Sequence, residues 1–154
     1  TTNALTGSAM PIFGGAKPVP FNPSRIKYDE WGVALMAISG PLTNLFLALI
    51  AYVALALSPL SSDSLAGQLL TVMTIVNLGF FAFNILPLPP LDGSRVLYVI
   101  APDSVRNLLE TAERYGLFLL YIVILIASPL LFMYMRIVTT GCLQVFAQIV
   151  GGIT

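Results

Sequence analysis

The chain has 154 residues, 57% of them hydrophobic and only 9% charged, with a mean hydropathy of +0.91. Soluble domains carry about 25% charged residues, so this composition is that of a membrane protein. Seven basic and seven acidic residues cancel and leave no field to draw nucleic acid, a lone Cys142 excludes an internal disulfide, and there is no histidine at all.

Residues 1–31 are polar to mixed and hold Pro11, Pro18, Pro20 and Pro23 beside the adjacent Gly14 and Gly15. Proline lacks an amide donor and disfavours helix in the residue before it, so this part is predicted as loop or extended pieces. Residues 32–58 carry no charge. About 20 apolar residues cross a bilayer, so this stretch is predicted as a first transmembrane helix. A polar turn, "SPLSSDS", follows. Residues 64–91 are again uncharged and make a second span, broken near its end by Pro87, Pro89 and Pro90. Residues 92–114 hold three arginines and four acids and read as a partly amphipathic connection, with Asp103 or Ser104 as a helix cap. Residues 115–135 form a third uncharged span with Pro129 inside it. Residues 136–154 are an apolar tail that lies in the interface or forms a short fourth helix. The expected fold class is therefore an all-α membrane protein, one membrane domain of about three transmembrane helices with a Pro-rich extended N-terminal segment.

Basic residues in short loops set orientation. Lys17, Arg25 and Lys27 precede the first span, and Arg95, Arg106 and Arg114 follow the second. Residues 1–31 and 92–114 are thus expected on the cytoplasmic side, with Arg136 one residue against the trend.

Three motifs stand out. In "SGPLTN", Gly40, Pro41 and Asn44 sit inside an uncharged span; small and polar residues there serve either ordinary helix packing or a site. In "NILPLPPLDG", Asn84 and Asp92 flank a proline-broken segment. Irregular backbone at membrane depth survives only when buried in protein or facing water, and an acid there is a metal ligand, a proton carrier or the cap of the next helix. In "FGGAKPVPFNP", alternating prolines favour an extended segment that either pairs with another extended chain or is a surface linker.

In this order the three motifs resemble the site-2 protease family of intramembrane zinc metalloproteases, and within it the bacterial subgroup with F-G-x-A-K-P-V-P, then A-G-P-x-x-N, then N-x-x-P-x-P-P-L-D-G. The resemblance covers roughly residues 11–127. It implies that Asp92 is a zinc ligand and that Asn84 lies near the scissile carbonyl. It implies that Gly40, Pro41 and Asn44 shape the substrate region, and that Lys17, Pro18, Val19 and Pro20 form a strand or loop pairing with an unwound substrate. The implied activity is zinc-assisted hydrolysis of peptide bonds in membrane-spanning proteins, with lipid and that substrate as partners and the bacterial inner membrane as location.

The departure is the family's H-E-x-x-H helix, which supplies two histidines and a glutamate base upstream of the "AKPVP" segment. This sequence has no histidine, and a catalytic zinc takes three protein ligands. Two expectations follow from the resemblance: the chain is the C-terminal part of a longer protease, or it is a non-catalytic membrane subunit or scaffold. A transporter fragment using Asp92 as a cation or proton site is a third reading.

Overall fold

The structure, a computed structural model, describes residues 29–61 and 63–152. The extended segment expected around residues 11–23 lies outside them. Four helices make up the described fold: α1 (Asp29–Leu57), α2 (Leu65–Asn84), α3 (Asp92–Ile100) and α4 (Asp103–Gly151). There is no strand among the described residues. Three of the helices, α1, α2 and α4, are long and apolar enough to cross a membrane.

α1 runs as one helix through Pro41, whose missing N–H leaves a carbonyl of the preceding turn without its helical donor. Hydroxyls work on the same stretch: Ser39 Oγ donates to Met36 O at 2.6 Å and Thr43 Oγ1 to Ser39 O at 2.8 Å. Pro41 itself is fully buried. The α1–α2 hairpin is the largest contact in the fold. Small residues set its closeness, with Ala48, Ala51 and Ala82 at most 1% exposed. Without a hydrophobic effect between lipid and helix, such close backbone packing is what holds membrane helices together. The turn closes on Ser64, whose hydroxyl accepts from Gly67 N at 3.1 Å and caps α2.

α2 ends at Asn84, short of the prolines. Pro87, Pro89 and Pro90 have no amide with which to continue a helix, and the Pro89–Pro90 bond is cis. The other amides of residues 85–91 are all satisfied within the chain. Ile85 donates to Phe81 O, Leu86 to Phe83 O, Leu88 to Leu86 O and Leu91 to Leu88 O, at 2.8–3.3 Å. The chain then restarts as α3 at Asp92.

α4 begins after Pro102, which occupies the cap position expected for Asp103 or Ser104. It departs from helical geometry at Gly116 (φ 43°, ψ −120°), a left-handed φ that side chains resist, and at Ala127, two residues ahead of Pro129. Residues 136–151, read from sequence as a tail or a short separate helix, continue α4 without a break. Their Cys142, Leu143 and Phe146 pack on Leu45, Ala48, Leu49 and Tyr52 of α1 and Leu78 of α2. The Phe146 and Tyr52 rings meet at 5.7 Å between centroids.

Candidate functional site: the Asp92 corner

Asp92 is the first residue of α3, and the proline loop aims it at α1. A Cβ built on Gly40 would lie 3.6 Å from Asp92 Oδ2, an ordinary van der Waals distance. The SGPLTN and LDG motifs therefore meet through two positions that are 52 residues apart in sequence. What presses α3 into place is Gly93. A Cβ there would overlap the backbone carbonyl of Ile85 and come within 2.5 Å of Leu86 O. Only glycine permits this approach of the proline loop to the helix start.

The reading of Asp92 as a helix cap fails. The cap residue of α3 is Leu91, and no side chain makes a capping bond there. The local bond is instead from Ser94 Oγ to Leu91 O at 2.7 Å. Asp92 is half-buried, and its carboxylate accepts no hydrogen bond among the described residues. Burial pushes its pKa above the ordinary carboxyl value, opposed by the positive charge of Arg95. A half-buried acid without a hydrogen-bond donor is expensive to ionise, and a cation in front of it would reverse that cost.

The other residues singled out from sequence fall as follows. Asn44 lies one turn beyond Gly40 on α1 and is half-buried. Residues four apart share a helix face, so Asn44 belongs to the face that meets Asp92. Asn84 is the last residue of α2, at the entrance to the proline loop, and also half-buried. Neither asparagine side chain makes a hydrogen bond among the described residues. Lys17, Pro18, Val19 and Pro20 lie outside the described residues.

Side chains not singled out from sequence tie α3 to α4. Arg95 Nη2 pairs with Glu113 Oε1 at 2.9 Å, and Tyr98 Oη donates to Glu110 Oε1 at 2.6 Å. Arg106 Nε and Nη2 donate to Ala101 O and Val99 O, both at 3.0 Å. A cavity of about 270 Å³ opens among Val33, Pro89, α3 and the first turns of α4. On another side of the proline loop a groove of about 250 Å³ runs between Phe83, Leu86 and Leu88 and the Leu120–Tyr134 stripe of α4; it is lined almost wholly by apolar side chains.

The residues present do not make a zinc site by themselves. No cluster of three His, Cys, Asp or Glu exists among the described residues, and the whole chain lacks histidine. Asp92 supplies one oxygen ligand where a catalytic zinc takes three protein ligands.

Comparison with known proteins converges on this corner. Residues 60–128, from the α1–α2 turn through Asp92 into α4, match the model of Peptidase family M50. Over 125 residues, 77% of this chain, the sequence is 37% identical to the Bacillus subtilis (strain 168) protein named "Putative zinc metalloprotease YwhC". The chain spans 56% of that protein's length. No solved structure matches. A family match that runs through the proline loop and Asp92, joined to three irregular motifs in the family's order, leads to one assignment: the chain belongs to the site-2 protease family, peptidase family M50.

Proposed function

We propose that this chain is the part of an intramembrane zinc metalloprotease that contributes Asp92 as one metal ligand and shapes the surrounding substrate site. The observation that carries the reading is the carboxylate itself. It is half-buried at the end of a proline-broken membrane segment, faces Gly40, and accepts no hydrogen bond among the described residues. An acid in that setting is a site by default. In this reading the remaining ligands and the glutamate base come from an H-E-x-x-H helix outside this sequence. Asn84 stands near the scissile carbonyl, and Gly40, Pro41 and Asn44 form the wall against which a membrane-spanning substrate unwinds. Lys17, Pro18, Val19 and Pro20 pair with the unwound strand. The protein sits in the bacterial inner membrane with residues 1–31 and 92–114 cytoplasmic, on the side the basic residues favour.

A second reading, a non-catalytic site-2-protease-like subunit or scaffold, is favoured by one observation, the absence of histidine from the sequence. The full gene product separates the two. If it carries two histidines four residues apart on a membrane helix, Asp92→Ala is expected to abolish zinc retention and cleavage of a single-span reporter while leaving membrane insertion intact. Insertion depends on the uncharged spans and basic loops, to which Asp92 does not contribute. Near-normal zinc and cleavage in Asp92→Ala would remove Asp92 from the ligand set. A full gene product with no such histidine pair would establish the scaffold.

A further inference from the structure

α3 is a nine-residue rod with Asp92 at its first position. Its near end is pinned where Gly93 lies against the Ile85 and Leu86 backbone. α3 packs more extensively on α1 than on α4, which sets the side it turns to the bundle, and its corner with α4 adds the constraint at its far end. We propose that Arg106 is a positioning residue for Asp92, acting by fixing the angle of the corner where α3 turns into α4.

Arg106 stands in the first turns of α4 and reaches back across Ala101 and Pro102. Its Nε donates to Ala101 O and its Nη2 to Val99 O, both at 3.0 Å, and its guanidinium lies 5.1 Å from the centre of the Tyr98 ring. The last carbonyls of a helix have no partner within it, so this one side chain satisfies acceptors that would otherwise leave the end of α3 loose. The guanidinium fork is planar and its donors are fixed relative to one another. Two acceptors held at once therefore define a direction, which a single hydrogen bond does not.

The other α3–α4 links are weaker constraints. The Arg95–Glu113 pair has both side chains about half exposed, at 45% and 53%, and exposed ion pairs of this kind contribute little. Tyr98–Glu110 is an exposed bond from a half-buried tyrosine to an exposed glutamate. Arg106 grips two backbone carbonyls.

The importance of this for catalysis rests on Asp92 being a site residue. The geometric claim does not, and the test reads geometry without zinc or cleavage. In the full-length protein in membranes, with Cys142→Ser to remove the native thiol, Gly40→Cys and Asp92→Cys are oxidised and disulfide formation is timed. A second pair, Ala48→Cys with Leu78→Cys in the buried α1–α2 cluster, reports on the bundle itself. Adding Arg106→Ala is expected to slow the 40–92 disulfide severalfold and leave the 48–78 disulfide unchanged. An unchanged 40–92 rate overturns the proposal. So does an equal slowing of both pairs, since Arg106 would then support the whole bundle rather than the direction of α3. Failure of the Asp92 ligand assignment would appear as normal zinc and cleavage in Asp92→Ala, and failure of the protease reading as a full gene product without the histidine pair, both independent of either rate.

Discussion

Gly93 and Gly40 flank the same carboxylate and are expected to respond oppositely to one added methyl. At Gly93 the obstacle is the Ile85 and Leu86 backbone, which cannot turn aside as a side chain can. Overpacking of this kind costs about 1–3 kcal/mol, so Gly93→Ala is expected to lower the melting temperature of the solubilised protein clearly. At Gly40 the new Cβ makes only ordinary contact with Asp92 Oδ2, and alanine is about 1 kcal/mol better than glycine inside a helix. Gly40→Ala is expected to melt at or above the parent temperature. Equal losses in both variants would mean that the proline loop does not press on α3 as described. The sequence motif shows that a glycine follows Asp92. It does not show why, because the obstacle lies eight residues back, across the proline loop. Arg106 left even less trace: its acceptors are carbonyls, which every residue carries, so no residue type in the sequence marks them.

Helices were the most legible elements. Uncharged stretches locate three long helices because lipid leaves a chain no other way to satisfy its backbone. Prolines announce a break because they lack a donor. Where the chain resumes was harder to see, since both the loop and the start of α3 depend on local amide pairings that many sequences could make. The far part of α4 was harder still. Thr139, Thr140, Gln144 and Gln148 make it look like an interfacial tail, yet its Phe146 is 4% exposed and sits in the α1–α2 core. Phe146→Ala is therefore expected to loosen α4 from the hairpin. The cost should fall at or below the lower end of the roughly 3–5 kcal/mol seen for Phe truncation in soluble cores, because lipid tails are as apolar as the ring. Phe132, 74% exposed on the same helix, is the comparison. Phe132→Ala should leave unfolding in mixed micelles nearly unchanged, and matching losses for the two would deny Phe146 its docking role.

For the whole molecule, the distribution of basic residues predicts which end of the bundle faces which compartment. The α1–α2 turn carries no basic residue, whereas Arg95, Arg106 and Arg114 gather at the α3–α4 end. With Cys142→Ser as background, a cysteine at the exposed Ser61 is expected to react with a membrane-impermeant maleimide in intact cells. A cysteine at the exposed Asn107 should react only after permeabilisation. The reverse pattern would invert the molecule and place Asp92 near the other surface. Length adds a constraint that the charge pattern does not reveal. Laid out straight, the 49 residues of α4 would reach about 73 Å, against a hydrocarbon core of about 30 Å. Its departures from helical geometry at Gly116 and Ala127 are where the path can turn to fit.

The proline loop also has a sign. Residues 85–91 carry seven carbonyls but, with three prolines, only four amides, and the chain's own carbonyls already take all four. The loop thus has lone pairs to offer and no N–H to spare. Its unpaired lone pairs lie beside the Asp92 carboxylate, while the donors of the corner belong to the start of α3. An approaching cation gains from the loop carbonyls and the Asp92 carboxylate, whereas the first N–H groups of α3 are the donors open to an anion. The proline loop itself therefore presents acceptors only, and that would persist after Asp92 is replaced by a neutral residue.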